Sequence, residues 1–334
     1  MTQLVTLDDY EDAAKACIPT AAWEYIHSGA ADEHTLRWNR DAYSRIKLSP
    51  RMLNDVRHVD TRVRVLGHEL PHPIMLAPVA AQTIAHPDGE VATAAGARAA
   101  NAGMILSSYT ARRIEDVARN APDPFWFQHY IQERSVMRDL LDRVIAVGCS
   151  AVCITVDTPT LGARDRMTRS GFEYPDLPHR TTQPGENACT WDDVAWTQAA
   201  VKVPVLLKGI LHPEDAELAI QAGAAGIVVS NHGARNLDTA PATIEVLQRI
   251  ADRVAGRVPL LVDGGIRRGT DVLKALALGA SAVLIGRPYV YGLAVGGATG
   301  VTAVVDILKR ELVQAMALTG RASISAIDHS VIWS

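Results

Sequence analysis

The sequence predicts an α/β fold, a (β/α)8 barrel preceded by a helical extension, and three observations point there. From residue 73 onward short apolar runs alternate with longer amphipathic stretches, and there are eight such runs. Polar residues gather at the C-terminal ends of the runs, the edge on which an α/β barrel carries its active site. Glycine and arginine clusters follow runs seven and eight, where barrels of this kind commonly bind phosphate.

The strand candidates are residues 73–78, 104–108, 125–130, 151–157, 204–209, 226–231, 259–265 and 282–287. Each is apolar on both faces, as suits a parallel strand covered on either side. Helices are expected over 90–102, 114–120, 135–147, 213–222, 243–254, 270–278 and 301–318, several of them opened by Asp, Ser or Pro. An open doubly wound sheet would show G-x-G-x-x-G after the first strand, but VAAQTIAHPDGE stands there. We therefore read one barrel domain over 1–334, with residues 1–72 as a helical N-terminal extension. Residues 159–191, rich in Arg, Pro, Gly and Thr, are expected to form a loop over the site, being too short and polar for a core of their own.

Composition narrows the partners. A net charge of −4 with no basic run argues against nucleic acid. The acidic start lacks an apolar stretch of signal-peptide length, and no window approaches 18 uninterrupted apolar residues, so a soluble cytoplasmic protein with no membrane partner is expected. Cys17, Cys149, Cys153 and Cys189 have no paired spacing and no neighbouring histidines, which reads as reduced thiols without a metal.

Within the strand ends lie the ingredients for handling a carboxylate substrate: a planar cation, hydroxyl donors and a base. His232 and Arg235 share the segment SNHGARN, where Gly233 frees the backbone to turn both side chains towards one ligand. Asp157 stands where a carboxylate would hold the His232 ring and stabilise its protonated form. Lys208, on an apolar strand, needs a partner, either an acid on a neighbouring strand or the edge of a cofactor that gains negative charge. Gly264, Gly265 and Gly286 allow backbone amides to approach phosphate, with Arg267 or Arg287 supplying charge.

These residues, together with YIHSGAADEHTLRWNR (25–40), LAPVA (76–80), AHPDGE (85–90), TVDTPTLGARD (155–165), LLKG (206–209), SNHGAR (230–235), DGGIRRGTDVLKALALGA (263–280) and IGRP (285–288), resemble the FMN-dependent 2-hydroxy acid oxidase family, which includes glycolate oxidase, lactate oxidase and mandelate dehydrogenase. The similarity runs from about residue 8 to residue 316. It implies FMN contacts from Pro78, Val79, Ala80, Ser107, Gln128, Thr155, Lys208, Ser230, Asp263, Gly264, Gly265, Arg267, Gly286 and Arg287. By the same resemblance Tyr25, Arg164 and Arg235 grip the substrate carboxylate and Tyr130 faces its hydroxyl. His232 is then the catalytic base, with Asp157 behind it, and Lys208 stabilises reduced flavin. The activity implied is oxidation of a small (S)-2-hydroxy acid to the 2-oxo acid, O2 accepting the electrons and leaving as hydrogen peroxide. A dehydrogenase passing electrons to a quinone or protein is the nearest alternative, and a non-catalytic flavin-binding scaffold a remote one. A homo-oligomer, tetrameric by resemblance, is expected.

The chain departs from the family pattern in three places. Between Asp157 and Lys208 it is roughly 20 residues shorter than typical members, which implies a trimmed lid, and lids exclude water and complete a site. Val79 replaces a hydroxyl residue common in relatives, while Ala80 resembles the oxidases rather than lactate monooxygenase, which has glycine. Tyr109 takes a position tied to substrate choice, and Leu161 is expected beside it as an apolar wall.

Overall fold

A computed structural model of the chain describes residues 4–181 and 188–333. Three helices come first, α1 (Leu7–Cys17), α2 (Thr20–His27) and α3 (His34–Arg45). An antiparallel hairpin follows, β1 (Val63–Val65) and β2 (His68–Leu70). Eight parallel strands then close a barrel: β3 (Ile74–Leu76), β4 (Met104–Ser107), β5 (Phe125–His129), β6 (Val152–Thr155), β7 (Val205–Ile210), β8 (Gly226–Val229), β9 (Leu260–Val262) and β10 (Ala282–Ile285). The last strand pairs back to the first, Val283 opposite Ile74. Around them run α4 (Gly89–Ala100), α5 (Ile114–Ala118), α6 (Arg134–Ala146), α7 (Asp165–Arg169), α8 (Trp191–Ala200), α9 (Pro213–Gln221), α10 (Thr243–Val254), α11 (Gly269–Ala277) and α12 (Arg287–Leu318).

Alternation along the strands makes two cores. Met75, Ile105, Trp126, Cys153, Leu206, Val228, Leu261 and Leu284 fill the barrel interior, while neighbours such as Ile74, Leu106, Phe127 and Ile154 face the helices. Because successive strand side chains point to opposite faces, an all-apolar run was the right signature for strands buried on both. Val65 and Leu70 of the hairpin join the interior cluster and close the end of the barrel remote from the site. The extension is thus helical over residues 7–45, as expected, and adds a hairpin the sequence reading did not include. The hairpin strands have only three residues each, too few for alternation to show.

Local signals account for the helix starts. Thr6 caps α1 by accepting from Asp9 N while the Asp9 carboxylate accepts from Thr6 N, and at the start of α8 the Asp193 carboxylate accepts from both the backbone N and the hydroxyl of Thr190. The sequence reading had no helix over α8, because its start adjoins the irregular loop. Of that loop, residues 182–187 lie outside the described residues.

By length and composition α12 alone, among the described residues, could cross a membrane, a segment the search for uninterrupted apolar runs did not find. It is instead a core helix, packed on α4, α1 and α11. Gly296 and Gly297 break its helical geometry in its first half. Both buried thiols, Cys149 and Cys153, belong to the cores as read, and among the described residues no group of acidic, His or Cys side chains could hold a metal.

Candidate active site

The C-terminal ends of the strands surround a cleft with about 1090 Å3 of empty space, its open mouth included. Nearly every residue singled out from the sequence lines it: Tyr25, Pro78, Val79, Ala80, Ser107, Tyr109, Gln128, Tyr130, Thr155, Arg164, Lys208, Arg235, His232, Asp263, Gly264, Gly265, Arg267, Gly286 and Arg287.

His232 sits in a sharp turn in which it, Gly233 and Ala234 all adopt left-handed backbone, with φ of 59°, 62° and 62°. Such a conformation costs a non-glycine residue about 1–2 kcal/mol, so neighbours must hold it. The Ser230 hydroxyl accepts from His232 N at 3.0 Å, and Ala234 N donates to Asn231 Oδ1 at 3.1 Å. Asn231 is locked in turn by reciprocal amide bonds to Asn39 of α3 at 2.8 and 3.0 Å.

The turn presents the imidazole between two partners. His232 Nδ1 lies 2.8 Å from Asp157 Oδ1, and Nε2 lies 3.2 Å from the Tyr130 hydroxyl. Burial lowers the His232 pKa, against the pull of Asp157 and with the help of Lys208 and Arg164. Burial works to raise the Asp157 pKa, but His232 and Lys208 overcome it and hold the carboxyl below its usual value. Burial, then the Asp157 charge, keeps the Tyr130 hydroxyl well above the usual tyrosine range. The arrangement thus favours a neutral imidazole, its Nδ1 backed by a carboxylate and its Nε2 turned to a phenol.

Asp157 is placed by residues the sequence reading passed over. Asn236 Nδ2 donates to the Asp157 carbonyl at 2.7 Å and to Thr158 Oγ1 at 2.8 Å. A side chain on Gly209, whose φ is +114°, would lie 2.6 Å from Asp157 Cγ. Gly209 closes LLKG and Asn236 directly follows SNHGAR, so their place in or beside those motifs was the available signal.

Lys208 finds an acid, but past the end of β9, two strands away. Its Nζ donates to Ser230 Oγ at 3.0 Å and stands 3.6 Å from Asp263 Oδ2, and it still lines the cleft. Burial works to lower its pKa, but Asp263 and Asp157 outweigh it and hold the ammonium charged. Ser230, expected as a cofactor contact, is not among the lining residues. It lies behind Lys208 as a hub, accepting from Lys208 and His232 and donating to Asp263 at 2.9 Å.

Arg235 is fully engaged on one side. Its Nη1 donates to Tyr25 O at 2.6 Å and Ser28 O at 3.1 Å, and its guanidinium stands 4.9 Å over the Tyr25 ring. The other nitrogen, Nη2, is buried without a partner. Arg164 donates to the Arg235 carbonyl at 3.3 Å. A carboxylate is the ligand this pair lacks, since buried cations are costly unless paired.

Leu161, like Ser230, is placed differently from expectation, and Arg287 lines the cleft with its guanidinium already engaged. Arg287 spends its guanidinium on the carbonyls of Ile26, Gly233 and Ser28, at 2.8–2.9 Å, and so clasps the extension to the His232 turn. Leu161 is 39% exposed and outside the lining, a correction to the expected wall. Beside it Gly162 lies so close to the Asn236 backbone that a Cβ would not fit, which pins the loop with Leu161 on its outer side. Tyr174, from the long loop, lines the cleft in its stead and carried no sequence signal.

The cleft fits a flat polar ring system with a phosphate tail, the FMN implied by resemblance. Gln128 Nε2 is buried and unpartnered, Lys208 offers a buried cation, and the N-terminus of α12 opens into the cleft at Gly286 without a side-chain cap. Free helix N-terminal amides suit phosphate. The Gly265 turn, at φ +83°, runs so close to the Asn39 carbonyl that no side chain can be added there.

Comparison with known proteins agrees. The family model for FMN-dependent dehydrogenase matches residues 14–184 and 177–334. A 2-hydroxyacid oxidase of Dictyostelium discoideum is 45% identical, across 100% of this chain and 91% of its own length. An L-lactate oxidase of Nostoc sp. is 44% identical over 98% of both chains. Among solved structures, mandelate oxidase with (S)-2-phenylpropionate has a TM-score of 0.93 at 40% identity, covering 99% of this chain and 98% of that one.

Proposed function

The chain belongs to the FMN-dependent dehydrogenase family, and from that premise we propose that it oxidises (S)-2-hydroxy acids to 2-oxo acids with O2, releasing hydrogen peroxide. The observation that carries the proposal is the Asp157–His232–Tyr130 chain beside an unpaired Arg235 donor. It offers a proton acceptor at one end of a substrate and a carboxylate site at the other.

Arg235, Arg164 and Tyr25 bind and orient the carboxylate, which fixes the reacting carbon near His232. Tyr130 and His232 meet the substrate hydroxyl. His232 Nε2 accepts a proton as the carbon gives up two electrons, and Asp157 stabilises the imidazolium that results. Bound FMN supplies the two-electron acceptor. Lys208, charged and fixed by Ser230 and Asp263, would stabilise the negative charge that the cofactor gains on reduction. The backbone of Pro78, Val79 and Ala80, the side chains of Ser107, Gln128 and Thr155, and the amides near Gly264, Gly265 and Gly286 would hold the cofactor, with Arg267 supplying charge for its phosphate.

The relatives named as oxidases support O2 as acceptor over a quinone or protein. Net charge and the lack of a basic run support a protein without a nucleic acid partner, and resemblance supports a tetramer. The test is anaerobic spectroscopy of the flavin-loaded protein with a panel of (S)-2-hydroxy acids, followed by air. Bleaching, recolouring in air and one peroxide per turnover are expected. No bleaching by any acid would overturn the proposal, and bleaching without recolouring would replace O2 by another acceptor.

A further inference from the structure

Above the barrel mouth lies a third apolar cluster, separate from both cores. Ala81, Tyr109 and Leu177 are its buried members, with Ala80, Ala111, Tyr130 and Tyr174 packed against them. Four segments supply it: those after β3, β4 and β5, and the long loop after β6. Its members Ala80, Tyr109, Tyr130 and Tyr174 line the cleft.

The polar atoms of these tyrosines are largely occupied elsewhere. The Tyr130 hydroxyl pairs with His232, and the Tyr174 hydroxyl pairs with that of Tyr25. What remains towards the cleft is ring surface and methyl. The rings of Tyr109 and Tyr130 lie 4.9 Å apart, and the Arg180 guanidinium spans Tyr109 and Tyr174 at 5.5 and 4.7 Å.

The loop part of this wall is fastened to the barrel. Gln132, just past β5 and 3% exposed, accepts from Thr181 N at 2.9 Å and Thr181 Oγ1 at 2.7 Å, and donates to His179 O at 3.4 Å. One buried amide thereby fixes both sides of the chain segment that follows Tyr174 and Leu177.

We infer that Tyr174, backed by Leu177 and held in place through Gln132, walls a side-chain compartment that selects 2-hydroxy acids with apolar alkyl or aryl side chains over glycolate. The inference rests on the oxidase reading above. Tyr174 is a specificity residue that touches substrate, and Gln132 is a positioning residue that acts through it.

The experiment compares kcat/KM for (S)-2-hydroxyoctanoate and glycolate in the FMN-loaded protein. Each added methylene in an apolar pocket is worth about 10-fold or more, so a preference of at least about tenfold for the longer acid is expected. Tyr174→Phe keeps the ring and the preference, whereas Tyr174→Ala brings the ratio close to parity. Gln132→Leu lowers the ratio without altering any lining residue, and Gln132→Glu, which keeps the acceptor for Thr181, retains more of it. Calorimetric Kd values for 2-oxooctanoate against glyoxylate follow the same order and do not depend on turnover. A wild-type preference for glycolate, or variants that weaken both acids equally, would overturn the compartment while leaving the oxidase reading intact. Failure of every acid to bleach the flavin would instead remove the oxidase reading, and the compartment with it.

Discussion

Replacing Asp157 with Asn tests the proton-acceptor chain at its hinge. The substitution keeps the shape and the neighbours, Asn236 and Thr158, but removes the charge 2.8 Å from His232 Nδ1. Opposite charges about 4 Å apart at an effective dielectric near 20 attract by about 4 kcal/mol. A neutral amide oxygen can still accept from Nδ1–H, which recovers about 1 kcal/mol or somewhat more. The net loss of about 2–4 kcal/mol falls on the imidazolium and corresponds to roughly 30- to 1,000-fold in the rate of flavin reduction. Anaerobic stopped-flow bleaching at saturating substrate reads that rate directly, with flavin content and circular dichroism confirming an intact fold. Without Asp157 the histidine also loses the charge that raises its pKa, so the acidic limb of the rate profile moves to lower pH. A rate within about fivefold of the parent, with an unmoved limb, would refute the assignment.

Three further outcomes are expected. The lowered pKa of His232 means the neutral, proton-accepting form prevails above that pKa and is lost as pH falls through it, so flavin reduction declines towards acid with a midpoint below the ordinary histidine value; a stopped-flow profile with its midpoint at or above the ordinary histidine value would contradict this. Lys208→Met leaves the Asp263 carboxylate buried without its cation, which costs about 3–5 kcal/mol and is read by urea unfolding of the flavin-free protein; a loss under about 1 kcal/mol would refute the pairing. Gly209→Ala must displace Asp157 and strain a φ of +114°, so it lowers flavin reduction by about tenfold or more with little change in KM, whereas unchanged kcat would show that the close approach does not matter.

The barrel was legible because its signal is repeated and local. Eight strands buried on both faces are eight apolar runs, and the polar residues that interrupt them at one end had to share one edge. The His232, Asp157, Lys208 and Arg235 assembly followed from that edge. What escaped was either too short or too irregular to carry periodicity. The β1–β2 hairpin has three residues per strand, and Tyr174 lies in a loop whose geometry is set by distant partners such as Gln132. Arg287 shows a different limit. Its place after β10 was right, but only coordinates reveal that three carbonyls occupy its guanidinium. Ser230 likewise sits on the expected strand end, one layer deeper than its motif suggests.

That arginine clasp bears on how the protein can be remodelled. Tyr25 reaches the site from a segment outside the barrel, and its carbonyl and those of Ile26 and Ser28 are taken up by Arg235 and Arg287 rather than by any matching side chain. Docking through main-chain oxygens is indifferent to the identity of the residues that carry them. The segment nevertheless has side-chain anchors of its own, Trp23 and Ile26 in the core and Glu24 paired with Arg166 at 2.7 Å, so its exposed positions can be varied against an unchanged barrel only while those anchors and the two clasping arginines are kept.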